Sequence, residues 1–362
     1  VTQDADVRFM AVALSLGRRG MGRVWPNPAV GCVIVQDGQV VGRGWTADGG
    51  RPHAEPRALA QAGAAAAGAT AYVTLEPCAH VGKTPPCAQA LIDAKIARVV
   101  VATGDPDPRV SGRGIAMLEA AGIAVTQGVL GKRADQDHAG FFLRVTQQRP
   151  FVTLKLAGTL DGRIATATGE SKWITGPAAR RAVHMMRARH DAVMVGAGTV
   201  RADDPSLTVR GMGHVPQPVR VVVSRAMKIA ADTTLMQTAR DVPVWLCHGP
   251  DADVAAWATA GAKSLPCQIA AGQVDPAAVM AALAAEGITR VFCEGGGMLA
   301  ASLLHADLVD RLVVFSAGAA IGAEGTPMLA GMGIDQLAQA PRFALEQVQP
   351  VGDDICHSWR RT

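Results

Sequence analysis

The chain has 362 residues, of which 49% are hydrophobic and 18% charged, and carries a formal net charge of +4. A chain of this length points to two domains of roughly 150 residues each. Its composition excludes disordered and collagen-like classes. The charge is too small, and the basic residues too scattered, for a dedicated nucleic-acid binder.

In chain order, residues 6–16 carry helical periodicity through Val7, Met10 and Leu14. The apolar run 29–35, the Asp37-Gly38 turn and residues 39–45 predict a hairpin. There follow a helix over about 53–66, a strand at 71–75, a helix over about 86–94, a strand at 98–102, a helix at 112–121 and a short strand at 123–126. This order predicts one sheet with helices on its faces. The polar, Pro-terminated stretch 147–150 marks a domain boundary, with domains over 1–147 and 150–362. Beyond it come strands at 151–156, 192–195, 219–223, 242–246, 290–293 and 311–315, with helices at about 177–190, 276–285 and 297–305. Such βα alternation predicts a largely parallel sheet that binds a ligand at its strand ends. No internal repeat relates the two halves.

The first twenty residues lack an apolar signal core. The longest uncharged stretch, 58–75, is mostly Ala and Gly and makes a poor membrane span. Seven scattered cysteines suit reduced thiols, so the expectation is a soluble cytoplasmic protein that acts on small molecules, with no nucleic-acid or membrane partner. A homo-oligomer is left open.

The chemistry concentrates in two places. Pro52-His53-Ala54-Glu55 precedes Glu76-Pro77-Cys78-Ala79-His80-Val81-Gly82-Lys83-Thr84-Pro85-Pro86-Cys87. His53, Cys78 and Cys87 offer three zinc ligands, the number that leaves a catalytic zinc one open position. Glu55, two residues from His53, is placed as the general acid/base of zinc deaminases. Both cysteines are expected at or near a helix start, where thiolate is favoured. The alternatives are a structural zinc with His80 as fourth ligand, or two unrelated buried thiols. Eight residues separate the cysteines, against two in the P-C-x-x-C of nucleic-acid and nucleoside deaminases. Lys83, one of only seven lysines, suits a substrate phosphate, the alternative being a solvated loop lysine.

In the second half, Cys293-Glu294-Gly295-Gly296-Gly297-Met298 lies between a strand and a helix. Its glycines allow close backbone approach, and the helix N-terminus favours phosphate. The pattern is not G-x-G-x-x-G, and a tight structural turn is the alternative. Ser224 and Arg225 end a strand, where an Arg can accommodate the 2′-phosphate of NADP or be an ordinary surface residue. A second glycine turn, Gly196-Ala197-Gly198-Thr199, leads to Asp203-Asp204-Pro205. Cys32 reads as core and Cys293 as a buried thiol. Cys247, Cys267 and Cys356 show no ligand spacing. His138, His184, His190, His214, His248, His305 and His357 read as ordinary.

The first-half segments, together with Pro26-Asn27-Pro28-Ala29-Val30-Gly31 and Gly112-Arg113-Gly114-Ile115, resemble the bifunctional riboflavin biosynthesis deaminase–reductases. So do Lys155-Leu156-Ala157, Leu160-Asp161-Gly162-Arg163-Ile164-Ala165, Gly169-Glu170-Ser171-Lys172-Trp173-Ile174-Thr175 and Asp203-Asp204-Pro205-Ser206-Leu207-Thr208-Val209-Arg210. The resemblance implies a cytidine-deaminase-like three-layer α/β/α domain followed by a dihydrofolate-reductase-like α/β domain, with Zn2+ and NADPH as cofactors. It implies zinc on His53, Cys78 and Cys87, proton transfer by Glu55, and contacts from Asn27, His80 and Lys83 to a pyrimidine and its ribosyl phosphate. In the second domain it implies cofactor contacts from Ala157, Trp173, Thr199, Asp203, Ser224 and Gly295, Gly296 and Gly297, with Arg225 beside them. Substrate contacts are implied for Lys155, Ser171, Arg187, Leu207, Arg210 and Glu294, with Arg187 and Arg210 as phosphate clamps. Lys155, Asp203 and Glu294 are the candidate proton donors for the reduction. Thr46 stands where the family usually has His, Pro56 where an aliphatic residue is usual, and Ser224 where Asp is expected.

Overall fold

A computed structural model describes residues 3–80 and 85–362, so the expectation for Lys83 lies outside the described residues. The chain divides into two compact units, Val1–Gln148 and Arg149–Thr362. No described helix is long and apolar enough to cross a membrane.

Unit 1 runs α1 (Gln3–Gly17), β1 (Gly31–Gln36), β2 (Gln39–Trp45), α2 (Ala54–Ala62), β3 (Thr70–Val73), α3 (Cys87–Asp93), β4 (Arg98–Val101), α4 (Arg113–Ala120), β5 (Ala124–Gln127) and α5 (Gly131–Gln147). The sheet order is β2-β1-β3-β4-β5. β1 is antiparallel to both β2 and β3, while β3, β4 and β5 are parallel. Period-two alternation sends Cys32 and Ile34 of β1 to one face and Val33 and Val35 to the other. The first pair packs with Ala58 of α2, Leu91 of α3 and Leu118 of α4. The second packs with Met10 and Leu14 of α1 and Ala134 of α5. Helices thus cover both faces, giving three layers, α/β/α.

The helix expected over 53–66 stops at Ala62, because Gly63 takes φ 54° and a 3-10 turn follows. α5 was not predicted; its first two turns are dense with charge from Lys132 to Asp137, which obscures the apolar positions of the helix.

Unit 2 runs β6 (Phe151–Thr159), β7 (Arg163–Ala165), α6 (Pro177–Arg187), β8 (Ala192–Gly196), α7 (Ala197–Asp203), β9 (Val219–Ser224), α8 (Thr234–Gln237), β10 (Val244–His248), α9 (Ala255–Thr259) and β11 (Lys263–Pro266). It continues with β12 (Ile269–Ala270), β13 (Gln273–Val274), α10 (Pro276–Ala285), β14 (Arg290–Cys293), α11 (Gly297–His305), β15 (Arg311–Ala317), β16 (Thr326–Pro327), β17 (Phe343–Val351) and β18 (Asp354–Arg361). The main sheet is ordered β11-β10-β9-β8-β14-β6-β15-β18-β17. It is parallel from β11 to β15 and closes with the antiparallel β17–β18 pair. The central parallel strands β8, β9 and β14 are almost wholly buried and rich in Val, as strands covered on both faces must be, whereas the edge strand β11 is largely exposed. The terminal hairpin was not legible, since β17 is exposed along nearly all its length and shows no inward–outward alternation.

Candidate active sites

In unit 1 the zinc constellation assembles around the N-terminus of α2. His53 is the residue before that helix and Glu55 lies in its first turn. Two glycines set the helix against the sheet. A Cβ at Gly42 or Gly44 would lie 2.2 or 2.0 Å from the carbonyl oxygens of Ala58 or Ala54, so only glycine lets α2 lie this close to β2. Pro56, also in the first turn, lacks only an N–H that would have no partner within the helix.

His53 Nδ1 lies 3.3 Å from Cys87 Sγ and 3.8 Å from Cys78 Sγ. All three ligand atoms fall within 4.8 Å of one another. A tetrahedral zinc with ordinary bond lengths holds nitrogen and sulfur about 3.6 Å apart, so the set fits this metal. Cys87 is the first residue of α3, as expected, but Cys78 lies outside any helix. The Cys87 backbone N–H nevertheless donates to Cys78 Sγ at 3.3 Å, so the helix start serves both sulfurs. The hydrogen bond from the Cys87 thiol, and then the His53 ring, lower the Cys78 thiol below its usual value. Glu55 is only 3% exposed. Burial, followed by the negative charge on Cys78, pushes its carboxyl up to about 7.

Among the implied substrate contacts, Asn27 packs on Gly50, where any Cβ would meet its side-chain nitrogen at 2.0 Å. His80 is half-buried, and its Nδ1 has no hydrogen-bond partner among the described residues. Thr46 is buried; its hydroxyl donates to the Pro28 carbonyl and accepts from the Val30 N–H, both at 3.0 Å. It therefore fixes the strand entry beside Asn27 instead of presenting a free hydroxyl.

In unit 2 the carboxyl ends of β6, β8, β9 and β14 open on one cleft of about 1830 Å³. Every residue of this half expected to contact cofactor or substrate lines it: Lys155, Ala157, Ser171, Trp173, Arg187, Thr199, Asp203, Leu207, Arg210, Ser224, Arg225, Glu294, Gly295, Gly296 and Gly297. The two glycine turns interlock, since a Cβ at Gly295 would lie 2.7 Å from Gly196 N. Thr199 Oγ1 accepts from Gly296 N at 3.1 Å, tying the turn to α7. Ser224 Oγ accepts from Met227 N at 3.1 Å and caps its own turn. Arg225 is exposed and donates to Gly272 O at 3.2 Å.

Arg187 is engaged within the protein. It makes a bidentate pair with Glu294 at 2.6 and 3.0 Å and donates to Thr208 O at 2.8 Å. Burial alone would push Glu294 up, but Arg187 beside it carries the carboxyl below its usual value. Burial lowers Lys155, which also senses Glu294, Arg187 and Asp203. Asp203 is exposed, and so is Arg210, whose backbone N–H donates to His184 Nδ1 at 3.2 Å.

Several cleft residues were not picked out from sequence: Arg201 and Lys228 line it, and so do His184 and His305, which had read as ordinary. Arg180 stacks its guanidinium 4.5 Å from the Trp173 ring centroid. Cys293, by contrast, is fully buried, and burial pushes it up to about 12, as a core thiol requires. A cleft of this size, floored by glycine turns at helix starts and carrying Arg201, Arg225 and Lys228, fits a phosphorylated dinucleotide such as NADPH.

Fold and sites together define a two-unit α/β enzyme, with a His–Cys–Cys group that fits zinc in one unit and a cleft that fits a dinucleotide in the other. Residues 3–103 match the cytidine and deoxycytidylate deaminase zinc-binding region, and residues 150–357 match the RibD C-terminal domain. The chain belongs to the riboflavin biosynthesis protein RibD family. It is 40% identical to that protein from Escherichia coli strain K12 over 97% of this chain and 98% of the relative. It is 38% identical to the one from Aquifex aeolicus over 99% of both. Among solved structures it is similar to Acinetobacter baumannii RibD (TM-score 0.89, 38% identity, 100% of both chains). It is also similar to a Thermotoga maritima diaminohydroxyphosphoribosylaminopyrimidine deaminase/5-amino-6-(5-phosphoribosylamino)uracil reductase (TM-score 0.88, 33% identity, 99% of both).

Proposed function

We propose that the two activities of this riboflavin biosynthesis enzyme, zinc-dependent deamination and NADPH-dependent reduction, are divided between the units, with residues 1–147 the deaminase and 150–362 the reductase. The observation that carries the reading is the convergence of His53, Cys78 and Cys87 beside buried Glu55. The seven free thiols suit a reducing cytoplasm.

The first substrate is 2,5-diamino-6-(5-phosphoribosylamino)pyrimidin-4(3H)-one, whose 2-amino group is replaced by oxygen from water with release of ammonia. His53, Cys78 and Cys87 hold the zinc, which when bound acidifies a coordinated water to near neutrality. Glu55 takes the proton of the attacking water and delivers protons to the ring nitrogen and the departing amine. Asn27, His80 and Lys83 orient the pyrimidine and its ribosyl phosphate.

In the second unit the ribosyl ring of 5-amino-6-(5-phosphoribosylamino)uracil opens. The C1′–O4′ bond breaks, O4′ takes a proton, and a C1′=N bond forms. NADPH, when bound, supplies the hydride that C1′ accepts, leaving a ribityl chain. Proton transfer belongs to the Lys155–Glu294 pair at the cleft floor, with Arg187 orienting Glu294. Exposed Asp203 is left to cofactor binding with Ala157, Trp173, Thr199, Ser224, Arg225 and the Gly295–Gly297 turn. Arg210 takes the phosphate as its main cation, because three of the five Arg187 N–H groups are engaged within the protein. Ser171 and Leu207 complete the substrate wall.

Glu55→Gln tests the deaminase reading. Zinc content and reduction of the deaminated substrate stay at wild-type levels while ammonia release is abolished. Ammonia release by that variant at the wild-type rate would remove Glu55 from the chemistry.

A further inference from the structure

We infer that Glu76 is a positioning residue of the deaminase site, holding the 104–115 loop against the segment that carries Cys78 through four backbone hydrogen bonds. The inference rests on the reading of unit 1 as the deaminase.

Glu76 is 4% exposed and lies two residues before Cys78. Its Oε2 accepts from Gly112 N at 3.0 Å and from Asp105 N at 3.4 Å. Its Oε1 accepts from Gly114 N at 2.9 Å and from Ile115 N at 3.4 Å. No cationic side chain pairs with it among the described residues. Gly112 is the N-cap of α4 and Gly114 and Ile115 lie in its first turn, so their N–H groups have no acceptor within the helix. A carboxylate from a distant segment supplies one, and a buried carboxylate needs such donors to offset its desolvation.

The same contact is sealed from the backbone side. A Cβ at Gly114 would lie 1.9 Å from the carbonyl oxygen of Pro77, the residue between Glu76 and Cys78. The loop carries two further buried carboxylates, Asp105 and Asp107. Asp105 Oδ1 accepts from Asp107 N at 2.8 Å, and Asp105 lies within electrostatic range of Cys78. Asp107 is close enough to sense His80. Glu76 therefore fixes the backbone of a loop that lies beside both a zinc ligand and an implied substrate contact. A plain helix cap would stabilise α4 without affecting how substrate binds; a positioning residue sets the distance between the loop and the zinc ligands.

The test uses the zinc-loaded full chain with Glu76→Gln, which turns an amide nitrogen toward N–H donors, and Glu76→Asp, which keeps both oxygens but retracts them by one methylene. Expected for Glu76→Gln are unchanged zinc content, unchanged NADPH-dependent reduction of the deaminated substrate and faster amide exchange confined to residues 105–115. The deaminase KM rises about tenfold, the equivalent of one charge-assisted hydrogen bond, with kcat nearly unchanged. Glu76→Asp gives a smaller rise. An unchanged KM, or loss of zinc from both variants, overturns the inference. Absence of zinc-dependent ammonia release from the wild-type chain would instead overturn the deaminase reading itself.

Discussion

Glu55 and Glu294 are both buried carboxylates, and their surroundings drive them in opposite directions. Glu55 is enclosed beside Cys78 and held near neutrality, where a group can both take and return a proton. Glu294 is gripped on both oxygens by Arg187, which holds its carboxyl below the usual value; the proposed mechanism gives it proton transfer with Lys155. Asp203 is exposed to solvent. Single-turnover NADPH oxidation with the deaminated substrate separates them: Glu294→Gln lowers the rate by about 100-fold, in the range of a lost proton-transfer group, and Asp203→Asn much less. Equal losses would contradict this division of roles. His53, Cys78 and Cys87 could be grouped from sequence because few residue types bind zinc, and the fold brings their ligand atoms within 4.8 Å of one another. The Arg187–Glu294 pair could not, because 107 positions separate its members and nothing local in either segment names the other. Thr46 was marked in sequence as a departure, but its bonds to Pro28 and Val30, 18 and 16 positions away, were not legible.

At the scale of elements, the deaminase site depends on how closely α2 lies on β2. Gly44→Ala places a methyl group 2.0 Å from the Ala54 carbonyl at the start of that helix, so either the helix or the strand must shift. The cost is about 1–3 kcal/mol of unit 1 stability, measured by urea unfolding, with weaker zinc retention against a competing chelator. Full stability and zinc retention would show that the approach is not constrained. Helices and strands with clear periodicity, such as α1, β1 and β14, could be read from the chain directly. α5 and the β17–β18 hairpin could not, since their apolar positions are sparse and most of β17 faces solvent.

At the scale of the molecule, each unit has its own sheet and its own hydrophobic clusters, and the proposed division gives each its own reaction. The deaminated product links them. On the proposed division, zinc and Glu55 serve only the first step and NADPH only the second. The decisive measurement is absorbance at the NADPH band after the diaminopyrimidine phosphate is added to zinc-loaded protein, before and after chelation of the metal. Zinc-dependent loss of NADPH, restored in the chelated protein by supplying the deaminated substrate, is the predicted result. Failure of the deaminated substrate to consume NADPH would contradict the reductase assignment, and NADPH loss from the diamino substrate after complete zinc removal would contradict the order of the two steps.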